Sequence, residues 1–519
     1  MDMLTFCFLG CAVVLFCILT RRGYQRLSYH LPLPPGPAKL PVIGNLLDMP
    51  VERPWEAYHQ WSRQYHSDII HLDVLGTSIV VVEGAEALKE LFERRSAIYA
   101  DRPRFPMLEL MGWDWATAFM KYGSRWRAHR KMLHDSLNPA AVRVYYPQQT
   151  AAAHGLVRLL LRDPAPDVMA ALRHMTASFI MDITYGIKVR AVGDPYLKKI
   201  AETMHGLSVA NVPGAFLVDM FPILKRVPCW FPGANFHRRA ARWRAATLDS
   251  VEMPFQETRR NMIAGTAISC FVSDSLERLE PEERTPLDSN YANLSREETV
   301  VRNAAAAIYT GGADTTVAAL GWFILALLAY PDVQRKAQAE LDAVVGFGNL
   351  PTFEDRATLP YLGALIKEVL RWRPVGPISI PHYVAVEDTY RAYRIPAHSI
   401  VVGNAWAFLH DEKAYPDPEC FRPERFLRAG QLDPEVRDPE LAAFGFGRRA
   451  CPGRCMAMDS LWISIATVLA TLNISKCVDK NGMTVEPAYD NSPGVLWKPA
   501  PFTCSVTLRS TQALQAMNG

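Results

Sequence analysis

The sequence predicts a mainly α-helical body with small β-sheets, preceded by a single N-terminal transmembrane helix. Three observations predict this. Leu4 to Thr20 is an uncharged apolar run, the chain from about Trp55 onward is mostly helical in pattern, and strand-like alternation is confined to short segments.

The N-terminal run comes first. Roughly 17 helical residues rise about 25 Å, close to the thinner hydrocarbon core of an endoplasmic reticulum bilayer. A cleaved signal peptide would place basic residues before the run and small residues after it. Here Asp2 precedes it, and Arg21, Arg22 and Arg26 follow it. The positive-inside rule then puts the body on the cytosolic side. These features predict an anchor over 1–22 and a basic, proline-rich hinge over 23–54. The hinge contains Leu33-Pro34-Pro35-Gly36-Pro37 and Leu40-Pro41-Val42-Ile43-Gly44. Prolines at that density favour extended, stiff backbone, suited to a spacer that orients a folded body against the bilayer.

In the body, residues 55–519, Ile69–Leu75 and Ser78–Glu83 alternate around Gly76 and predict a hairpin. Gln334 to Val345 predicts an amphipathic helix. Thr266 to Glu298, rich in Ser, Glu, Arg and Asp, predicts an exposed connection. The apolar stretch Val317 to Tyr330 follows Gly311, Gly312 and Asp314, and predicts a buried central helix in preference to a second membrane span.

Composition excludes several classes. The 519 residues are 49% hydrophobic, enough for a large core, and 56 Lys+Arg against 53 Asp+Glu leave a net charge of +3. So balanced a charge does not suggest a nucleic-acid partner. Ten cysteines lack a framework spacing, which favours reduced thiols facing the cytosol. A zinc site at Cys451 and Cys455 would need a second Cys or His pair at finger spacing, and none follows.

Phe444-Gly445-Phe446-Gly447-Arg448-Arg449-Ala450-Cys451-Pro452-Gly453 is the most informative window. A metal-bound thiolate needs a lowered pKa, which backbone N–H groups at a helix start supply. Gly447 and Gly453 permit close backbone approach, Pro452 suits a first helical position, and Arg449 is placed to pair with a carboxylate. The window resembles the haem-binding loop of the cytochrome P-450 superfamily, with Phe444, Gly447, Arg449, Cys451 and Gly453 at the family's spacing.

Further motifs carry the resemblance from the anchor to the C-terminus. Glu368-Val-Leu-Arg371 and Phe421-Arg-Pro-Glu-Arg425-Phe426 imply a buried network of Glu368, Arg371 and Arg425. Trp126-Arg-Ala-His-Arg130 implies a helix at the haem edge, with Trp126 and Arg130 reaching a propionate. His382 stands where the family often places another propionate donor, and where a structural histidine fits as well. Gly311-Gly312-Ala313-Asp314-Thr315-Thr316 resembles the oxygen-activating helix: Thr315 would hydrogen-bond the activated oxygen and Asp314 would relay protons from solvent. Two glycines in a helix interior, each about 1 kcal/mol poorer than alanine, imply a gap there.

The resemblance, closest to fungal microsomal monooxygenases of secondary metabolism, implies haem b with Cys451 as axial ligand. It also implies dioxygen, a hydrophobic small-molecule substrate, an NADPH-dependent flavoprotein reductase, and a single-pass endoplasmic reticulum protein. A terpenoid-like substrate is the first expectation; an indole, other aromatic or polyketide intermediate is the second. The Asp314–Thr315 pair argues against an electron-independent isomerase or dehydratase, and against a gas-binding protein without turnover. Arg127, Arg130, Lys131, Arg448 and Arg454 would form the reductase-facing patch. The pocket would be lined by Pro103–Trp115, Ala210–Phe216, Pro377–Ile380 and Gly494–Trp497, and Phe231-Pro-Gly233 would dip into the bilayer.

Overall fold

Helices account for most of the chain because its apolar residues recur at helical spacing, and four of the helices named below start on a side-chain cap. The structure, a computed structural model, describes residues 31–211, 214–283, 285, 294–489 and 496–517. The predicted anchor over 1–22 lies outside the described residues.

The elements that build the site are, in chain order, α1 (Pro54–Gln64), the hairpin β1 (Ile69–Val74) and β2 (Thr77–Val82), α2 (Pro106–Leu110), α3 (Ser124–Leu137), α4 (Tyr146–Leu160), α5 (Val168–Tyr185), α6 (Pro195–Ala210), α7 (Leu217–Met220), α8 (Asn235–Ile263), α9 (Phe271–Glu277), α10 (Arg296–Ala329), α11 (Pro331–Leu341), α12 (Pro360–Trp372), β3 (His382–Val384), β4 (Ser399–Gly403) and α13 (Arg454–Thr471). The main sheet has the order β1-β2-β4-β3, with β2 and β4 parallel and the other pairs antiparallel. The predicted hairpin is therefore one half of this sheet.

Local chemistry fixes the helix starts. Ser295 and Glu298 form a reciprocal capping box at the head of α10, with Ser295 Oγ accepting from Glu298 N at 3.1 Å and Glu298 Oε2 accepting from Ser295 N at 2.9 Å. Asp194 caps α6, and proline opens α6, α11 and α12, where a missing N–H costs little.

α10 is the axis of the molecule. Val317 to Leu328 is buried throughout, packed against α4, α5, α12 and α13 in the largest core cluster. Among the described residues it is the one helix long and apolar enough to cross a membrane, and 72% of its apolar window is inside the body. A buried central helix is thus the observed state of Val317–Ala329. Truncating a core tryptophan such as Trp322 or Trp462, both essentially inaccessible, to alanine is expected to cost about 3–5 kcal/mol.

Three expectations are revised. The stretch after Thr266 is not simply an exposed connection, because α9 buries Phe271, Val272 and Leu276 against α5 and α10. The predicted helix at Gln334 begins earlier, at Pro331, and its α-helical part ends at Leu341. The proline-rich segment is seated on the sheet. Pro35 O accepts from His71 N at 2.9 Å and Pro32 O from Arg394 N at 2.8 Å. A Cβ on Gly36 would lie 2.2 Å from His71 O, so only glycine permits this approach.

Candidate active site

Cys451 lies in a loop keyed into the N-terminal part of the molecule. Its N–H donates to Phe444 O at 2.8 Å, and Ala450 N donates to Gly447 O at 3.1 Å, which tightens the turn. The Phe446 ring stacks on Phe92, with centroids 5.5 Å apart. Gly447 has φ +53°, and a Cβ there would fall 1.9 Å from Phe92 O. The close approach that requires this glycine is therefore to a neighbouring backbone. Glu93 Oε1 accepts from Gly447 N at 2.8 Å and completes the clasp. Pro452 and Gly453 form the turn ahead of α13, so Pro452 sits just before the helix and not at its first position. A Cβ at Gly453 would meet only Cys451 Sγ, at 3.9 Å.

The thiol sits deep among protein groups although its residue surface is accessible. Burial pushes it up, while the Gly453 N–H and the Arg130 and Arg454 guanidiniums pull it down. Arg130 Nη1 donates to Ala450 O at 2.6 Å, so this side chain braces the loop.

Beside it is a buried cationic cluster. Arg449 donates to Ala100 O at 2.6 Å, Met120 O at 2.8 Å and Thr117 O at 3.3 Å, and its guanidinium lies 4.4 Å from the Trp126 ring centroid. Arg102 donates to Ala118 O at 2.9 Å, Ile380 O at 2.7 Å and Pro381 O at 2.9 Å. His382 Nδ1 meets Tyr99 O at 2.7 Å, which makes that nitrogen the donor. Burial and the facing charges hold Arg102 well below the usual arginine value and pull Arg449 down to about 10. Burial first, then Arg102, pulls His382 down too. The bonds of both guanidiniums end on carbonyl oxygens.

Asp101 is the one carboxylate that raises both guanidiniums, so two arginines leave room for a further anion, and Thr117 Oγ1 beside them is buried with no hydrogen-bond partner. A thiol at a helix start, a patch of buried cations and an orphaned hydroxyl are a donor set that fits a haem: thiolate for iron, cations for two propionates. Arg102 was missed from sequence, since it belongs to no motif and its partners at 380 and 381 are remote in the chain.

The scaffold network closes as an ion-paired triad. Glu368 Oε2 meets Arg371 Nε at 2.7 Å and Glu368 Oε1 meets Arg425 Nε at 3.2 Å, with all three side chains buried. Spare donors end on Leu409 O, Cys420 O and Pro416 O. Two arginines on one glutamate are tolerable only with that pairing, and removing one partner would cost about 3–5 kcal/mol.

On α10, Thr315 Oγ1 donates to Gly311 O at 2.7 Å, and Asp314 Oδ2 meets Lys498 Nζ at 3.1 Å. The two glycines differ. A Cβ on Gly311 would meet nothing within 4 Å, whereas one on Gly312 would strike Ile180 Cδ1 at 2.7 Å. Gly311 leaves open space and Gly312 lets α5 pack close.

Two predicted lining segments converge: Met107, Met111, Trp113 and Trp115 pack with Ala210, Phe216 and Ala306 of α10. Trp497 does not belong with them. It lies in the main core between Trp55 and Trp322, with centroids 5.1 and 5.9 Å away, while Gly494 lies outside the described residues.

A helical body with a thiol at a helix start, a buried cation cluster and an acid–alcohol pair on its central helix defines an oxygen-using haem-thiolate class of enzyme. The chain belongs to the cytochrome P-450 family, whose model matches residues 34–506. Its relatives include cytochrome P-450 monooxygenase 98 of Postia placenta, 46% identical over 94% of this chain and 93% of the relative. Tryptamine 4-monooxygenase of Psilocybe cyanescens is 41% identical over 94% and 95%, and cytochrome P-450 monooxygenase claR of Ampulloclitocybe clavipes is 40% identical over 93% and 87%. The chain is accordingly an enzyme of the P-450 monooxygenase class, whose members use dioxygen, an organic substrate, a redox partner and a cysteine-ligated haem.

Proposed function

We propose that the chain inserts one oxygen atom from dioxygen into a hydrophobic small molecule in a fungal secondary-metabolite pathway, with Cys451 as the iron ligand. The observation that carries this reading is the keyed Cys451 loop joined to the guanidiniums of Arg102 and Arg449 and the buried imidazole of His382. When bound, the haem would supply the oxidising chemistry, with Cys451 as its thiolate ligand. The chain's own residues hold and orient. Gly447 and Glu93 fix the loop, Arg102, Arg449 and His382 receive the propionates beside Trp126, and the Glu368–Arg371–Arg425 triad stiffens the scaffold. Phe444 O accepts the Cys451 N–H, and Gly453 follows in the turn beside the sulfur. Asp314 would move protons toward the space next to Gly311, and the Thr315 hydroxyl, which rests on Gly311 O, would turn to donate there.

Electrons come from an NADPH-dependent flavoprotein reductase. Arg127, Lys131, Arg448 and Arg454 are exposed, with Arg448 on Tyr122 and Arg454 4.0 Å from Glu440, and would face an acidic partner, while Arg130 is turned inward to Ala450. The apolar Met107, Met111, Trp113, Trp115 and Phe216 favour a terpenoid-like substrate. An indole amine is the second reading, supported by the tryptamine-oxidising relative. The protein is anchored by residues 1–22 in the endoplasmic reticulum with its catalytic domain toward the cytosol, and exposed Trp230 and Phe231 give the body a second contact with the bilayer.

The test is Cys451→Ser in the full-length protein expressed with a reductase in yeast. The variant should lose the thiolate-type carbon monoxide spectrum and all product formation; a variant that keeps that spectrum removes Cys451 from the role.

A further inference from the structure

Helix α3 buries a single stripe of side chains, Trp126, His129, Leu133 and Leu137, spaced three or four residues apart as a packed helix face requires. His129 is the one imidazole in that stripe, and a leucine there would bury apolar area as well. A buried polar group persists where partners meet it, and His129 is met on both nitrogens. Its Nδ1 lies 2.8 Å from Arg125 O, and its Nε2 lies 3.2 Å from Asn303 Nδ2 on α10. Asn303 Oδ1 in turn accepts from Arg302 Nε at 3.2 Å and Nη2 at 3.0 Å, and Arg302 Nη1 donates to Glu252 Oε1 of α8 at 2.7 Å.

The directions agree along the whole chain. A carbonyl only accepts, so Nδ1 carries the His129 proton and Nε2 presents a lone pair. A guanidinium only donates, so the Asn303 oxygen faces Arg302 and its amide nitrogen faces His129. The neutral imidazole is the form these neighbours require. Burial, and after it the Arg125 and Arg302 charges, pull its pKa down in the same sense. His129 is 1% and Asn303 0% exposed, so water does not compete for the bond.

Two apolar faces slide past one another at little cost, whereas a directional bond between buried polar groups admits one register. The next residue is Arg130. Successive helix residues face different ways, and while His129 meets α10, Arg130 Nη1 donates to Ala450 O at 2.6 Å. Its charge is among those that pull the Cys451 thiol down. A slide of α3 by about 1.5 Å, the rise of one residue, takes that guanidinium out of hydrogen-bonding reach of the loop.

We propose that His129 is a positioning residue for the Cys451 loop: its buried bond to Asn303 fixes where α3 lies along α10, and so where the Arg130 guanidinium stands beside the sulfur. The proposal rests on the reading of Cys451 as the iron ligand. A cation held at the thiolate opposes its protonation and favours the reduced iron. Loss of the bond should weaken both effects.

The test measures two properties of the full-length, substrate-free haem protein: its reduction potential, and the rate at which the thiolate-type carbon monoxide spectrum decays to the thiol type. His129→Leu should lower the potential and speed the decay several-fold, and Asn303→Leu should do the same. His129→Gln, whose side-chain oxygen still accepts from Asn303 Nδ2, should return both toward wild type. Arg130→Gln should show both changes alone, and adding His129→Leu to it should add nothing. Wild-type potential and decay in His129→Leu overturn the proposal, as does His129→Gln behaving like His129→Leu. Additivity with Arg130→Gln overturns the route through Arg130. If His129→Leu holds no haem, the same two measurements on Asn303→Leu decide. A Cys451→Ser protein that keeps the thiolate-type spectrum removes the ligand reading beneath, an outcome distinct from all of these.

Discussion

At the scale of single residues, the site depends on side chains whose surroundings leave them one role each. Thr315 is such a case. Its hydroxyl already has a partner in Gly311 O at 2.7 Å, so its place in the helix does not require it to reach into the site. A threonine bonded to the carbonyl four residues earlier adds little to helix stability. Replacing it by alanine should leave folding and haem content near wild type. The effect is expected in turnover: Thr315→Ala should divert NADPH electrons to hydrogen peroxide and lower product yield by about 10²-fold, the lower end of what a positioned proton donor contributes. The check is peroxide and product measured per NADPH consumed, and an unchanged yield would count against the role. Gly447 shows the opposite dependence. With φ +53° and the Phe92 carbonyl 1.9 Å from any Cβ, it is demanded by backbone geometry, and its substitution should be felt first in the folding of the loop.

At the scale of elements, the contact between α2 and α7 joins the segments on either side of the predicted pocket. Asp219 Oδ1 on α7 accepts from Met107 N on α2 at 2.8 Å, and Lys225 Nζ meets Glu109 Oε2 at 2.6 Å. Burial pushes the Asp219 carboxyl up to about 6, with the Met107 N–H opposing and the Glu109 charge adding to it. Glu109 itself is held down to about 2, first by its bond to Arg104 and then by Lys225. An acid whose folded-state pKa is raised favours the neutral form. Its contribution is therefore fully present below its ordinary range near 4 and is lost as pH rises through about 6. Asp219→Asn keeps an oxygen for Met107 N and removes the charge. It should stabilise the protein near neutral pH by up to about 2 kcal/mol, and the gain should vanish by about pH 4. Apparent melting temperatures of both proteins across that range decide it, and a pH-independent difference would sink the argument. The same contact shows why elements differ in legibility. The hairpin and the central helix were readable because alternation and apolar length are local properties. Helix α9 was not, because Phe271, Val272 and Leu276 sit among polar neighbours and become core only once α5 and α10 cover them.

At the scale of the whole molecule, the site was legible where the chain writes its chemistry into contiguous motifs, as around Cys451, Glu368 and Asp314. It was illegible where partners meet across the fold: Lys498 lies 184 residues from Asp314, Glu93 lies 354 from Gly447, and Arg102 lies 278 from Ile380. The same distinction applies to membrane contact. The hydropathy of Leu4 to Thr20 is evident in the sequence, but the exposure of Leu217, Ile223, Trp230 and Phe231 emerges only from the fold. Trp230 is 78% and Phe231 is 52% exposed, with the exposed Arg226 in the same stretch to meet anionic headgroups. A protein shortened by residues 1–22 should therefore still bind vesicles of mixed neutral and anionic lipid. Changing Trp230 and Phe231 together to serine should weaken that binding by about 3 kcal/mol, a factor of roughly a hundred in partitioning. The carbon monoxide spectrum should be unaffected, because neither ring packs into the core. Sedimentation with sucrose-loaded vesicles measures the first quantity and the spectrum controls the second. Partitioning equal to that of the unsubstituted short form would remove Trp230 and Phe231 as a bilayer contact.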